Sequence, residues 1–442
     1  MKCEYRTVPV GIDTATPYFG WKISDPLFVQ GQKQTAYHLL VASNKELLVP
    51  NQADVWDSGK VSSSNSVLVP FAGKELLSNQ TYYWKVQVFD KDGKPSAWSE
   101  PTSFVMGLLR QSDWDGSQWI KHPDAPENKT IWFRKTFTLN DVPKTALVHL
   151  ASVGYHQLFI NGKKADDREL APPVLDYYKR LPSISYDVSK LLQKGENVIA
   201  VWTAAGWASN RAFGQFNKSS CFRLKLLADN ETVYSDTRWK CSESNLEATE
   251  MVTQWGKNGG ERLDARRDVP DWNKTGFDDS QWVVPKTIEI TQSIVSAGNV
   301  PPTRIIEQFK PLTITKITEG YQVEFAKNFT GWVSANFRGL NAGDTVTIMT
   351  SDDKTTVCDF NQRSYYIAAG KETETFNNRF NYAAGRFITF AGLKDEPKLE
   401  DFAGYALGTD FEQTSSFKCS NQLYEKIFQL DLWTFRATAP EG

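Results

Sequence analysis

Residues 82–88 read Tyr-Tyr-Trp-Lys-Val-Gln-Val, and this stretch decides how the rest of the sequence is interpreted. Its large apolar side chains stand at alternate positions, which are Tyr82, Trp84, Val86 and Val88. A period of two over the whole stretch predicts a half-buried β-strand, because successive side chains of a strand point to opposite faces. The following Asp-Lys-Asp-Gly at residues 90–93 predicts a turn, since glycine accepts the left-handed backbone conformation without steric cost.

The same β pattern continues outward over most of the 442 residues. Residues 1–107 have the size of an immunoglobulin-like sandwich, and the Tyr-x-Trp-x-Val strand with the later Trp-Ser-x-Pro resembles a fibronectin type III module. Residues 112–290 contain an Asn161-Gly162 turn after a strand, which is the strongest short signal for a β-hairpin, and no sustained helical period. We therefore predict a jelly roll over 112–290 and a further β-sandwich over 305–412, where apolar residues alternate again.

Residues 413–442 break this pattern. After Ser420, which we predict as a helix N-cap, apolar residues recur along one face of a helix at Leu423, Ile427, Leu430 and Trp433. Such a face has to be buried, either against the third sandwich or within a helical domain that begins here. We favour the helical domain and therefore expect these residues to be the front part of a longer protein.

Composition excludes several classes of protein. The chain has 50 lysine and arginine residues against 52 aspartate and glutamate residues. It therefore lacks the surplus of basic residues that is typical of a nucleic-acid-binding protein. The sequence contains no run of about eighteen apolar residues, so it predicts no membrane-spanning helix. Five scattered cysteines and four histidines favour neither a disulfide framework nor a zinc site. Aromatic residues reach 13%, which suits β-sheet cores and surfaces that bind sugars.

The short motifs of common catalytic sites are missing from the sequence. It contains no Gly-x-Ser-x-Gly elbow, no His-Glu-x-x-His zinc motif, no P-loop and no Gly-x-Gly-x-x-Gly. Hydrolysis by two carboxylates stays open, since 52 acidic residues are available. No pair is marked by its spacing, because the two groups need to meet only in space.

A sugar-binding site is predicted around residues 204–216, which combine glycine, aromatic and amide side chains. An aromatic ring can stack on the apolar face of a sugar while planar polar groups bond its hydroxyls. The candidate carbohydrate ligands are Trp207 and Asn210, together with Asp176. The alternative is a packed loop in which Trp207 belongs to the protein core.

Asp166 and Asp167 are the candidate metal ligands. With Glu169 and Asp176 they can supply the carboxylate oxygens that Ca²⁺ prefers, so Ca²⁺ is the one ion that the sequence suggests. The alternative is a solvated hairpin that follows the Asn161-Gly162 turn.

Four groups of residues, in chain order, carry a resemblance to one family. They are Trp-Asp-Ser-Gly-Lys-Val at 56–61, the run from Asn161-Gly162 to Pro172 with Gly206-Trp207, Asn-Phe-Thr-Gly-Trp at 328–332, and Phe-Lys-Cys-Ser-Asn at 417–421 with Leu-Trp-Thr at 432–434. They resemble, in that order, the N-terminal module, the carbohydrate-binding-like jelly roll, the third sandwich and the entry to the catalytic barrel of bacterial α-L-rhamnosidases of glycoside hydrolase family 78.

The resemblance implies a mainly β fold with three consecutive β-sandwich domains. These are a fibronectin type III-like domain at 1–107, a jelly roll at 112–290 and a second β-sandwich at 305–412, followed at 413–442 by the first helix of an (α/α)₆ catalytic domain. It implies that the catalytic acid and base lie beyond Gly442, so that Glu441 is only a neighbour of the general acid. The final Ala-Pro-Glu-Gly departs from the commoner Pro-Thr-Asp-Cys and indicates a divergent subgroup.

The implied function is removal of terminal α-L-rhamnose from glycans or glycosides by an inverting, two-carboxylate mechanism. The implied partner is a rhamnose-containing oligosaccharide or glycoside, no cofactor is required, and the location is extracytoplasmic with a signal sequence that is not in this chain. Two alternatives are kept. One is a non-catalytic carbohydrate-binding or adhesive protein of several β domains, and the other is a different glycosidase or lyase with similar β modules.

Overall fold

The computed structural model describes residues 1–25, 28–209, 216, 219–249, 259–298 and 300–438. Strands dominate these residues, and the one α-helix among them is near the C-terminal end. The predicted fold class, mainly β with consecutive sandwiches and a final helix, is confirmed. Within the described ranges, no helix is long and apolar enough to cross a membrane.

The first sandwich is built around the strand predicted at residues 82–88. Its strands are β1 (Lys2–Cys3), β2 (Val10–Ile12), β3 (Tyr18–Gly20), β4 (Ala36–Ala42), β5 (Trp56–Ser62), β6 (Val69–Pro70), β7 (Thr81–Phe89) and β8 (Thr102–Met106). One sheet has the order β2-β8-β7-β4-β5 and the other β1-β3-β6. The ring of Phe19 in β3 lies 4.6 Å from that of the fully buried Trp84 in β7, so the two sheets meet on these side chains.

The second unit is a pair of sheets. Its strands are β9 (Trp119–Lys121), β10 (Lys129–Leu139), β11 (Ala146–Val153), β12 (Tyr155–Ile160), β13 (Lys163–Lys164), β14 (Arg180–Asp187), β15 (Gly195–Ala204), β16 (Cys221–Ala228), β17 (Glu231–Tyr234), β18 (Lys240–Thr249), β19 (Gly260–Asp264), β20 (Lys286–Ile288) and β21 (Ile294–Ala297). One sheet runs β20-β9-β16-β11-β14-β21, with β17 on β16, and the other begins β13-β12-β15-β10-β18-β19. The hairpin predicted at Asn161-Gly162 is confirmed, with φ of +50° and +82° at these residues.

The third unit contains one long strand that is shared by both layers. Its strands are β22 (Thr303–Phe309), β23 (Thr313–Ile317), β24 (Gly320–Arg338), β25 (Thr345–Ser351), β26 (Arg363–Ile367), β27 (Thr373–Asn377), β28 (Ala383–Ala391) and β29 (Phe402–Thr409). Strand β24 pairs with β23, β27, β28 and β29 along different parts of its length. The buried rings of Phe325, Phe337 and Phe390 fill the space between the layers.

One sheet of the second unit continues into the third. Strand β19 pairs in parallel with β26, where Arg262 lies opposite Tyr365. A side chain at Gly260 would come within 2.2 Å of the Arg363 carbonyl oxygen, so the close approach of the two strands requires glycine there. The second and third units are therefore joined by backbone hydrogen bonds as well as by side chains.

The short connecting helices are of the 3₁₀ type. They span Lys45–Leu47, Gln111–Trp114, Ser189–Leu191, Gly206–Ser209, Ala265–Arg267 and Leu399–Asp401.

The predicted C-terminal helix is α1 (Gln422–Thr438). The N-cap prediction at Ser420 is wrong by one residue, because the side-chain oxygen of Asn421 accepts the Leu423 N–H at 3.0 Å. Trp433 rests on the third sandwich, where its Nε1–H donates to the Asn328 carbonyl at 2.8 Å. Its ring also lies 6.0 Å from that of Phe309.

The rest of the apolar face of α1 is not buried by packing against other described residues. Leu423, Ile427 and Leu430 are 61%, 45% and 65% exposed. The helix therefore contacts the third sandwich through one end of its apolar stripe only.

Two histidines are buried in neutral networks. His149 lies between Ser185 and Asn79, each 2.8 Å away, and so links the second unit to the first. His156 lies between Ser152 and the Tyr186 hydroxyl at 2.7 and 2.8 Å. Burial lowers the pKa of each imidazole to about 3.

These histidines predict a loss of stability in mild acid. The unfolded chain takes up protons near its ordinary histidine pKa of about 6.5, while the folded chain does not do so until about pH 3, so stability falls as the pH decreases through this window. At pH 5 each histidine is expected to have lowered the free energy of unfolding by about 2 kcal/mol relative to its value at pH 7. Thermal melts between pH 7 and 5 measure this loss. The His156→Gln variant should show a shallower decline, and an unchanged decline in that variant would contradict the assignment.

Candidate functional site

A cavity of about 180 Å³ lies where the second and third units meet. It is bounded on one side by the end of β15 and the turn after it, and on the other by the loop between β27 and β28. Both rings and polar side chains line it, among them Tyr155, Trp207, Glu247, Phe380, Asn381 and Tyr382. The predicted sugar-stacking residue Trp207 is thus part of a cavity wall.

The Trp207 wall depends on a glycine turn. Gly206 has a φ of +48°, and a side chain there would come within 2.8 Å of the Tyr155 ring. This position therefore excludes ordinary residues, and the chain turns tightly enough to place Trp207 at the cavity. Trp207 is half-buried and also packs against the cluster that includes Trp202. Trp207 thus packs partly in the core and partly lines the cavity, and its role in sugar binding stays a prediction.

The opposite wall is held by the carboxylate of Glu261 in β19. One oxygen accepts the N–H groups of Phe380 and Asn381 at 2.6 and 3.1 Å, and the other accepts that of Arg379 at 2.9 Å. Burial raises the pKa of the Glu261 carboxyl, while the hydrogen bonds from Phe380 and Arg379 act in the opposite direction. A side chain of the second unit thus fixes a loop of the third.

Two further contacts hold the same loop against the second unit. The Arg379 guanidinium lies 4.8 Å from the centre of the Trp202 ring and donates to Gln157 Oε1 at 3.2 Å. The Phe380 ring meets Trp202 edge-on at 5.6 Å. Burial lowers the pKa of Arg379, and the nearby carboxylate of Glu261 opposes that shift. The loop is therefore anchored by its backbone and by two side chains.

Two of the three carboxylates that line the cavity, those of Glu247 and Glu261, are already engaged. Glu247 lies 2.5 Å from the Lys129 ammonium and 3.0 Å from the Arg262 guanidinium, and Glu261 is used by the loop N–H groups. A general acid or base has to be free to exchange a proton with the substrate. With Glu247 held by cations and Glu261 by amides, neither of these two acids is free to act as a general acid or base.

The other predicted carbohydrate ligands do not join Trp207 among the described residues that line the cavity. Asn210 lies outside the described residues. Asp176 is in an exposed turn, with its carboxylate 3.2 Å from the Lys179 ammonium. Tyr178, two residues after Asp176, packs edge-on against Phe216, with the ring centres 5.0 Å apart.

The predicted calcium ligands Asp166 and Asp167 have arginine partners. The Asp166 carboxylate lies 3.0 Å from Arg168 Nε, and that of Asp167 accepts from Arg304 Nε at 2.8 Å. Burial raises the pKa of the Asp166 carboxyl. Burial also acts to raise the pKa of Asp167, but Arg304, a backbone hydrogen bond and Lys164 together lower it. Across the part of the chain that the structure describes, no three or more His, Cys, Asp or Glu side chains form a group that could hold a metal ion. Calcium binding stays a prediction.

Sequence analysis missed one wall of the cavity. Residues 377–382 read Asn-Asn-Arg-Phe-Asn-Tyr, the same mixture of amide and aromatic side chains that drew attention to 204–216. This composition was a usable signal. No local sequence pattern marked Glu261 as part of the site, because the residues it contacts lie more than a hundred positions further along the chain.

Comparisons with known proteins assign the three units in chain order. Residues 1–110 match the Rha78A-like, N-terminal immunoglobulin domain, and residues 141–307 match the α-L-rhamnosidase N-terminal domain. Residues 316–408 match the bacterial α-L-rhamnosidase concanavalin-like domain. The chain therefore carries, in chain order, three domains that match those of bacterial α-L-rhamnosidases.

Individual members of the α-L-rhamnosidase family resemble the chain over nearly all of its length. An α-L-rhamnosidase of Formosa agariphila is 30% identical over 97% of this chain and 49% of its own. The structure of α-L-rhamnosidase from Dictyoglomus thermophilum has a TM-score of 0.90 at 29% identity, over 99% of this chain and 51% of that one. A Streptomyces avermitilis α-L-rhamnosidase, complexed with L-rhamnose, shares the fold with a TM-score of 0.83 at 20% identity, over 99% and 60% of the two chains.

This chain spans about half the length of the curated α-L-rhamnosidases it matches first. The matched half consists of the β domains described above.

Removing the Glu261 carboxylate should loosen the cavity. In Glu261→Ala the N–H groups of Arg379, Phe380 and Asn381 lose their acceptor inside the protein, and each unsatisfied buried group costs about 1–3 kcal/mol. We expect the free energy of unfolding to fall by about 3 kcal/mol or more. Hydrogen exchange at residues 379–381 should accelerate at the same time.

The control is Glu243→Ala on the neighbouring strand β18, whose partly exposed carboxylate forms an ion pair with Arg267 at 3.4 Å. Its cost should stay below about 1 kcal/mol. Thermal melts and hydrogen-exchange mass spectrometry measure both variants. Equal effects of the two substitutions would contradict the role given to Glu261.

Proposed function

We propose that this chain is the β-domain part of an enzyme that removes terminal α-L-rhamnose from oligosaccharides or glycosides. The observation that carries the proposal is the match of all three β units, in order, to an α-L-rhamnosidase structure with a TM-score of 0.90. The match covers 51% of that structure, so the proposal assigns the chemistry to a further domain.

The proposed reaction proceeds with inversion. One carboxylic acid protonates the glycosidic oxygen while a carboxylate activates water on the opposite face of the sugar, and the two lie roughly 6.5–9.5 Å apart. Two of the three cavity acids do not fit these roles, because Glu247 is held by two cations and Glu261 by backbone N–H groups. This supports a non-catalytic role for the described part of residues 1–442. We also propose that the enzyme acts outside the cytoplasm on rhamnose-containing substrates.

The open face of α1 supports the same proposal. Leu423, Ile427 and Leu430 lie on one side of the helix and are each at least 45% exposed. A stripe of this kind is typical of a helix that packs against other helices. In the proposed enzyme this stripe packs into the helical catalytic domain.

The second candidate function is a carbohydrate-binding protein without hydrolytic activity. The cavity beside Trp207 favours it, since that cavity needs no further domain to hold a ligand. The two candidates differ in whether the intact protein cleaves a rhamnoside.

The intact protein should hydrolyse an aryl α-L-rhamnoside, and residues 1–442 alone should not. Release of the aryl group measures the rate, and proton NMR during the first turnovers identifies the sugar anomer. Inversion requires β-L-rhamnose to appear first. Full activity of the 442-residue chain would contradict the non-catalytic role, and early α-L-rhamnose would contradict inversion.

A charge on the apolar face of α1 should affect only the intact enzyme. In Leu430→Asp a carboxylate replaces an apolar side chain that the catalytic domain is proposed to bury, at a cost of about 2 kcal/mol or more. The neighbouring Gln429 is exposed, and Gln429→Asp serves as the matched control. Thermal melts should show a lower melting temperature for Leu430→Asp in the intact enzyme but not in the 442-residue chain. An equal effect of both substitutions would exclude the proposed contact.

A further inference from the structure

We propose that a basic groove on the second unit is a binding site for a phosphate group. The groove has a volume of about 440 Å³ and is lined by the cations Arg134, Lys135, Arg238 and Lys240. Among the described lining residues, Asp279 is the one acid. The groove shares no lining residue with the cavity beside Trp207, and the proposal does not depend on the hydrolysis of rhamnosides.

Strand pairing brings two of these cations together. In the antiparallel pair of β10 and β18, Arg134 lies directly opposite Lys240. Like charges at such positions destabilise a sheet unless they are neutralised. Arg134 forms an ion pair with Asp279, whereas the Lys240 ammonium has no ion pair or hydrogen bond among the contacts between described residues. Lys240 therefore leaves one positive charge uncompensated beside the groove.

The other two cations share a single carboxylate. Lys135 Nζ lies 3.0 Å from each oxygen of Asp236, and Arg238 Nε donates to one of these oxygens at 2.8 Å. The four cations of the groove thus contact two carboxylates, those of Asp236 and Asp279, and a net charge of about +2 remains. A phosphomonoester carries a charge of about −1.5 to −2 at pH 7, which matches this excess.

The mutual repulsion of the cations is visible at Lys135. Burial lowers the pKa of its ammonium, the Asp236 carboxylate opposes that shift, and the neighbouring charge of Arg238 adds to it. A bound dianion would reduce this repulsion, because an opposite charge nearby favours the protonated form of an amine.

Arg134 supplies a buried donor without an acceptor. Its side chain is 1% exposed, and its terminal nitrogens donate to Asp279 and to the carbonyls of Phe277 and Lys274. Its Nε–H has no partner among the described residues. A buried donor without a partner costs about 1–3 kcal/mol or more, so an acceptor from outside the chain would stabilise this wall. In the proposed complex a phosphate oxygen is that acceptor.

The rest of the groove has room for the group that carries the phosphate. Its volume lies within the roughly 300–1,000 Å³ of sites that enclose small organic ligands. Phe137 and Val233 bring apolar surface to it, and Thr136 and Thr232 also line it. The groove therefore fits free phosphate and also a phosphomonoester of a small polar molecule.

Isothermal titration calorimetry of the 442-residue chain at pH 7.5 and low salt tests the proposal. Glucose 6-phosphate is the first probe, and glucose 6-sulfate is its match with the same ring and one negative charge. One saturable site should be observed for the phosphate, with binding of the sulfate weaker by about five-fold or more. Glucose itself, which has no charge, should show no saturable heat.

Substitutions in the groove locate the site. Lys240→Gln and Arg238→Gln should each weaken binding of glucose 6-phosphate by about five-fold or more. The matched control is Lys310→Gln, which removes an exposed lysine of the third unit and should leave the affinity unchanged. Thermal melts check that each variant is folded, and if Lys240→Gln is not, the exposed Arg238→Gln decides.

Inorganic phosphate distinguishes the two sources of the group. Tighter binding of the ester would identify a phosphomonoester as the ligand, and equal or tighter binding of inorganic phosphate would identify the free ion, and both results support the site.

Three results would overturn the proposal. No saturable heat with either phosphate would exclude the site, and equal affinity for the phosphate and the sulfate ester would exclude its preference for a dianion. Unchanged binding in the folded groove variants would exclude its location.

Discussion

The three hydrogen bonds from the backbone of residues 379–381 to the Glu261 carboxylate are the constraint on which the site depends. A carboxylate that is only 2% exposed is costly to bury unless its oxygens are hydrogen-bonded, and here both are. Since Glu261 belongs to the second unit and its donors to the third, neither unit can move away without leaving polar groups unsatisfied. The parallel pairing of β19 with β26 acts in the same direction. The walls of the cavity are therefore held in place before any ligand arrives.

Preorganisation of this kind matters for a small ligand. A monosaccharide offers few contacts, so little binding free energy is available to order a loop. In this chain the loop loses its conformational entropy on folding, when Glu261 binds its backbone, Arg379 stacks on Trp202 and Phe380 meets Trp202 edge-on. The same arrangement engages the Glu261 carboxylate, which is therefore not free to transfer a proton to a ligand.

Local features of the sequence predicted local structure well. The alternation at residues 82–88 marked the strand that anchors the first sandwich, and Asn161-Gly162 marked a hairpin, because both depend on neighbouring residues alone. The helix at 422–438 was also predictable from its apolar stripe, although its N-cap is Asn421 rather than Ser420. Trp207 could be identified as a candidate from the mixture of residues around it. The partner loop and Glu261 could not be linked to it, since their contact depends on how strands far apart in the chain are paired.

A crystal structure of the Glu261→Ala variant of the 442-residue chain tests the central claim most directly. The account predicts that residues 379–381 move away from β19 while the pairing of β19 with β26 is kept. A loop that keeps its position without the carboxylate would contradict it.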